Sequence, residues 1–306
     1  MSYLIQSYNK TNEGLGSQMC DYASLYATSL KTGHKPAICI EDKTEYSAIN
    51  FFNKNLDCPK TPEECFPNFN KVFDKIYCKN YRFDNYIISV EGSSFPAENY
   101  VTLGELYNYL NPNINYNLLG RFIPKYWYYS YLNEIKKLYT FDQSVVDYAK
   151  ELLPQTNKQI TAISMRYEYI KNHSNKYLNR LPQCRLKFKY YYDAMSKFPI
   201  RDTLFLVFAD FPEHNDVLSE GIKKYLPEYT EVIFLSKLSS PVGICLMSMC
   251  DNFILSNSTF SWWGALLNNN ANAKIICPKY FIDPKNCYHP INCHYYPDNW
   301  IPIKNN

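Results

Sequence analysis

Phe253-Ile254-Leu255-Ser256-Asn257-Ser258-Thr259-Phe260-Ser261-Trp262-Trp263-Gly264-Ala265-Leu266-Leu267 runs from an apolar strand, through a turn crowded with hydroxyls, into a helix. The first amides of a helix have no partner inside it and carry partial positive charge. A phosphate placed there accepts several hydrogen bonds, to which serine and threonine hydroxyls add. A diphosphate is the natural guest of such a turn. The plainer reading is that Ser256 or Ser258 caps the helix, and chemistry alone does not separate the two. Trp262 and Trp263 read as packing in either case.

Apolar runs at 160–165, 204–209 and 232–235 precede this turn and another at 275–277 follows it, all separated by helix-length segments. That alternation predicts a parallel α/β sheet, with ligands at the carboxyl ends of the strands, where helix amino termini point. The opening of the chain has the same logic. Tyr3-Leu4-Ile5 is followed by Gly14-Leu15-Gly16, and apolar residues then recur with a helical period at Leu15, Met19, Tyr22, Tyr26 and Leu30. Gly33 reads as the helix stop and Ala37-Ile38-Cys39-Ile40 as the next strand, which makes one βαβ unit.

Between 53 and 85 the pattern weakens, Tyr86-Ile87-Ile88-Ser89-Val90 suggests a further strand, and 103–148 reads as helical and aromatic. Leu153-Pro154-Gln155-Thr156-Asn157-Lys158 has the turn chemistry of a connection, which divides the chain into domains 1–155 and 156–306.

Composition agrees with two globular domains. The 306 residues are 46% hydrophobic and 20% charged, with only 9 glycines, so neither disorder nor low complexity fits. Thirty tyrosines raise the background against which aromatic runs are judged, and Tyr126-Trp127-Tyr128-Tyr129 and Tyr190-Tyr191-Tyr192 read as packing before sugar stacking. A net charge of +3 is too small and too dispersed for a nucleic-acid binder. Eleven cysteines without a Cys-x-x-Cys pair suit reduced thiols. Cys287, His289, Cys293 and His294 have no finger or ribbon spacing, so no metal is expected. No signal-peptide pattern or membrane-spanning apolar stretch is visible, so the expected location is cytoplasmic, with no stable membrane insertion.

The hydroxyl-rich string resembles the carboxyl-terminal signature of the α-1,2-fucosyltransferases, glycosyltransferase family 11. Leu246-Met247-Ser248-Met249-Cys250 resembles the family's Leu-Met-Ser-x-Cys helix, and Gly14-Leu15-Gly16-Ser17-Gln18-Met19 its Gly-Leu-Gly-Asn-Gln-Met opening. Leu206-Val207-Phe208-Ala209-Asp210 is similar to its Phe-Ser-Asp segment and Asn299-Trp300-Ile301-Pro302-Ile303 to its Trp-Ile-x-Ile ending. The resemblance spans nearly the whole chain and is thinnest between residues 40 and 150.

What it implies is a GT-B-like pair of Rossmann-type domains with parallel sheets. The amino-terminal half would face a glycan acceptor and the carboxyl-terminal half would hold GDP-fucose, with no metal and no cofactor beyond the donor itself. The reaction would be inverting, moving L-fucose from GDP-β-L-fucose in α linkage to a sugar hydroxyl such as the 2-OH of a galactoside. In a metal-free site the charge growing on the leaving diphosphate needs an arginine and fixed donors. The family supplies that arginine from His-x-Arg-Arg-x-Asp, which matches the stretch Ser164-Met165-Arg166-Tyr167-Glu168-Tyr169 at Arg166 alone.

Ser164 replaces the histidine, Tyr167 the second arginine, and the aspartate falls on Tyr169 or, with a gap, Glu168. Gly243 stands where many relatives carry an aspartate. The resemblance thus assigns Gly14, Gly16, Gln18, Arg166, Asp210, Asn257, Ser258, Thr259, Phe260 and Ser261 to the donor. Arg166 is assigned to catalysis with Glu168 and Asp210, either of which could take the acceptor proton, while Asp210 could equally contact guanine or ribose. The departures motivate an alternative, a nucleotide-sugar or glycan binding protein that kept the fold and lost the reaction.

Overall fold

Short apolar runs flanked by turn residues become strands here, and every pairing among them is parallel. The computed structural model describes residues 2–6, 14–40, 65–77, 85–88, 110–119, 129–166, 186–209, 215–235, 238–281 and 296–305. The chain divides into two units, Met1–Val145 and Val146–Asn306.

The first unit carries β1 (Tyr3–Gln6), β2 (Lys35–Ile40), β3 (Asp74–Tyr77), β4 (Asn85–Ile88) and β5 (Tyr116–Leu119), in the order β3-β2-β1-β5-β4. Between β1 and β2 runs α1 (Leu15–Thr32), which buries Leu15, Met19 and Tyr22 of the expected face but leaves Tyr26 half-buried and Leu30 exposed, and which also buries Leu25, Gln18, Asp21 and Ser24. Gly14 opens the helix with extended backbone, and the amides of Ser17 and Gln18 both return to its carbonyl. Gly33 closes it at φ 78°, a left-handed position that favours glycine.

The expectation for 103–148 is corrected in part. A helix is present at α2 (Leu132–Leu138), but Tyr116–Leu119 is a strand paired with both β1 and β4. α3 (Gln143–Leu152) straddles the division between units, ahead of the turn at 153–158. Its start is fastened to the first unit, where the Asp142 amide donates to Cys65 O at 2.9 Å and Val145 is fully buried.

The second unit carries β6 (Gln159–Met165), β7 (Thr203–Ala209), β8 (Glu231–Leu235), β9 (Asn252–Ile254), β10 (Ile275–Pro278) and β11 (Ile301–Ile303), in the order β11-β10-β9-β6-β7-β8. The chain moves outward from β6 to β8, then returns to the other side of β6 and moves outward again. That reversal is the doubly wound Rossmann order, and its switch point lies between β6 and β9.

The strand positions follow the apolar runs read from the sequence. Among the described residues the connections contain α4 (Phe188–Met195), α5 (Asn215–Lys223), α6 (Ser240–Ser248) and α7 (Thr259–Leu266). The core packs Ile163, Met165, Phe205, Val207 and Ile254 of the sheet against Tyr190, Tyr191 and Met195 of α4. Of the tyrosine run only Tyr192 is exposed, so Tyr190 and Tyr191 are packing residues.

Candidate functional site at the β6–β9 switch point

In a doubly wound sheet the crevice for a ligand opens at the carboxyl ends of the two strands that flank the switch point. β6 and β9 are hydrogen-bonded neighbours with Ile163 opposite Ile254. Arg166 follows the end of β6 and the 255–258 turn follows the end of β9. The two features singled out from the sequence therefore leave adjacent strands in the same direction. Between them the buried hydroxyls of Ser164 and Ser256 lie 2.8 Å apart and share a hydrogen bond. Arg166 is half-buried at this edge.

The turn is fixed from beneath. Tyr190 donates its hydroxyl to Leu255 O at 2.7 Å, and complete burial holds that phenol well above its ordinary pKa, so it remains a donor. The Tyr296 hydroxyl reaches Ser256 O at 3.4 Å. Asn257 donates Nδ2 to the carbonyls of Tyr280 at 3.2 Å and Phe281 at 3.0 Å, tying the turn to the chain leaving β10. Ser261 Oγ donates back to Ser258 O at 3.1 Å and Ser256 O at 3.3 Å. The side chains of Asn257 and Ser261 thus hold the turn itself.

Ser258 is the N-cap of α7, with extended backbone at φ −133° and ψ 130°, and its side chain does not cap the helix. Thr259 and Phe260 are half-exposed in the first turn, while Trp262 and Trp263 are buried and packed edge to face at 5.1 Å. The tryptophans are core residues, as read from the sequence. The turn residues Ser256, Asn257 and Ser258 are buried, and the first amides of α7 lie at the carboxyl end of β9, the strand adjacent to the one that Arg166 follows.

Gly14, Gly16 and Gln18 begin α1 in the first unit, where Gly16 and Gln18 are buried and Gly14 is half-buried. Glu168, Asp210 and Tyr167 lie outside the described residues, as do Cys287, His289, Cys293 and His294. The supporting hydroxyls of Tyr190 and Tyr296 were not legible in a chain this rich in tyrosine, since only contacts between distant segments single them out.

The model of glycosyl transferase family 11 matches residues 4–304. The chain belongs to glycosyltransferase family 11. It is 25% identical over 299 residues to the O-antigen biosynthesis glycosyltransferase WbnK of Escherichia coli, covering 89% of this chain and 93% of that one. It is also 25% identical over 314 residues to an alpha-1,2-colitosyltransferase of Escherichia coli, covering 95% and 96%.

Among solved structures, NodZ alpha-1,6-fucosyltransferase soaked with GDP-fucose superposes with a TM-score of 0.51 at 12% identity, over 94% of this chain and 97% of that one. A variant of Arabidopsis thaliana FUT1 in complex with GDP gives 0.51 at 14% identity, over 94% and 73%. These likenesses show a shared fold. This family 11 glycosyltransferase is accordingly GT-B-like, with two Rossmann-type domains built on parallel sheets. Among its described residues no helix is long and apolar enough to cross a membrane.

Proposed function

We propose that this glycosyltransferase moves L-fucose from GDP-β-L-fucose to a sugar hydroxyl, the 2-OH of a galactoside, with inversion to an α linkage. The observation that carries the reading is the switch point itself, where Arg166 and the start of α7 follow the adjacent strands β6 and β9. A diphosphate held there has its charge met by a guanidinium and by helix amides, the groups needed when a leaving nucleotide departs without a metal ion. The second unit would hold the donor and the first would face the glycan. The names of the relatives, a fucosyltransferase fold and an alpha-1,2-colitosyltransferase among them, support the donor class and the linkage.

In a single displacement the acceptor oxygen attacks the anomeric carbon as the bond to the β-phosphate breaks, and a carboxylate takes the acceptor proton. Glu168 and Asp210 are the candidates. The protein would work in the cytoplasm and without a divalent cation.

Calorimetric titration with GDP, with and without magnesium, tests the donor site. Wild type should bind equally in both, and Arg166→Ala should lose about tenfold to a hundredfold in affinity through loss of charge-assisted hydrogen bonds. Assay with fucosyl and colitosyl nucleotides and a panel of β-galactosides tests the reaction. GDP binding with neither transfer nor slow hydrolysis would favour the second reading, a decayed binding protein, which the changes at Ser164, Tyr167 and Gly243 motivate.

A further inference from the structure

The second sheet ends on two unlike edges. β11 is short and carries Pro302 at its centre, which removes a donor and hinders pairing with a further strand. β8, Glu231-Val232-Ile233-Phe234-Leu235, contains neither proline nor lysine, and among the described residues only β7 is paired with it. Each of its residues is at least partly exposed, Ile233 to 40%. An apolar edge of this kind presents a row of backbone donors and acceptors that takes up another strand unless it is covered.

α5 lies over one face of this edge. Val232 and Phe234 pack into the core that includes Leu218 and Ile222 of α5, so Ile233 between them points to the other face. A Cβ built on Gly221 would collide with the Phe188 ring, which sets that flank of α5 against α4. At about 100° of turn per residue the opposite flank, on the side of the free edge, carries Asp216, Ser219 and Lys223. Asp216 and Lys223 are exposed, and neither forms an ion pair among the described residues. As a crossover helix, α5 runs opposite to β8, and the two elements have nearly the same length, about 12–13 Å. The middle of α5 near Ser219 therefore lies over the middle of β8 at Ile233.

We infer that the β8 edge is the contact surface for a second copy of this chain, with the two β8 strands antiparallel about a two-fold axis near Ile233 and the two α5 helices side by side. An antiparallel strand edge is complementary to itself, as an isologous contact requires. The charges obey the same symmetry. About that axis Asp216 of each copy faces Lys223 of the other, so one opposite-charge pair occurs twice, a match that favours a like chain over an unrelated strand. The carboxyl edges of the two sheets point opposite ways, which leaves the two candidate sites at opposite ends of the joined sheet.

Sedimentation velocity of the full chain at concentrations from about 1 to 100 μM tests the contact, and wild type should dimerise within that range. Asp216→Lys and Lys223→Asp each set like charges against one another at two places, and each should weaken the dimer about tenfold or more. In an equimolar mixture of these two variants both opposite-charge pairs are restored across the heterodimer, and affinity should return to the wild-type value. Ile233→Lys, a change at an exposed position, should abolish the dimer by placing two ammonium groups beside the axis. Thermal melts of the dilute variants establish that each is folded.

A wild type that sediments as a monomer throughout would overturn the proposal. So would a dimer as tight in Asp216→Lys as in wild type, or a mixture that associates no more tightly than its components.

Discussion

The hydroxyls of Ser164 and Ser256 meet at 2.8 Å across β6 and β9, both buried, immediately before the segments that carry Arg166 and the start of α7. This pair accounts for one departure from the family motif, since Ser164 stands where relatives have histidine. The space is closed to an imidazole because Ser164 is 4% exposed and Ser256 fully buried. Ser164→His is expected to lower stability by about 1–3 kcal/mol through overpacking, with no gain in GDP affinity. Ser164→Ala, which deprives Ser256 of this partner, should cost about 1 kcal/mol. Thermal melts and GDP titrations of both variants check the pair, and tighter GDP binding by Ser164→His would show that the motif had decayed rather than been repacked.

The phenol of Tyr190 reaches from α4 to Leu255 O at 2.7 Å and is the support nearest the start of the turn. Tyr190→Phe keeps the ring and the packing with Tyr191 but leaves a buried carbonyl short of a donor, so a loss of about 1–3 kcal/mol is expected. The turn would also lose a fixed point, and GDP affinity should fall by a factor smaller than that for Arg166→Ala. Denaturant melts and calorimetry on the same preparation separate the two effects.

The second sheet was legible because each of β6 to β10 is an apolar run bounded by turn residues, with helix-length connections between. β5 was not. Tyr116-Asn117-Leu118-Leu119 is too short for a period to be read, and with neighbours on both sides it buries Asn117 as well as Tyr116 and Leu118, so no alternation marks it. β3 is likewise four residues of mixed character, Asp74–Tyr77. At the site, the hydroxyl turn after a strand and the arginine after another could be found by eye. That Asn257 spends its side-chain amide on the carbonyls of Tyr280 and Phe281 could not, because only folding brings those residues near.

His34 gives the first unit a pH dependence of known sign. The ring is 5% exposed, Nε2 lies 3.1 Å from Asn111 O and 3.2 Å from Ile114 O, and Nδ1 faces Thr32 Oγ1 at 2.7 Å. Burial lowers its pKa below the ordinary 6.5, and the two carbonyls oppose that shift only in part. The unfolded chain therefore takes up a proton at a higher pH than the folded one. Stability from this residue is complete above the unfolded value of 6.5 and is lost as pH falls through the interval down to the folded pKa. His34→Gln should flatten that part of the profile, as measured by thermal midpoints between about pH 5 and 8.

Gly264 is required by its neighbour. A Cβ there would stand 2.5 Å from Met247 Sδ, 2.6 Å from Cγ and 2.9 Å from Cβ, so turning the end of the methionine chain does not clear the space. Gly264→Ala should therefore push α7 from α6 and cost about 1–3 kcal/mol, and GDP affinity should fall because the same displacement shifts the start of α7, where Phe260 Cζ would stand 2.8 Å from a Cβ built on Gly243 of α6. Met247→Ala alone should cost about 2–5 kcal/mol through the cavity it leaves. Combined, the two changes relieve each other in part, since the new methyl at 264 enters space vacated by the sulfur, and the double variant should be more stable than the sum of the singles predicts. Strict additivity in melts of the four proteins would mean that the two helices already have room for a side chain at 264, and the close approach of Gly264 to Met247 would lose its support.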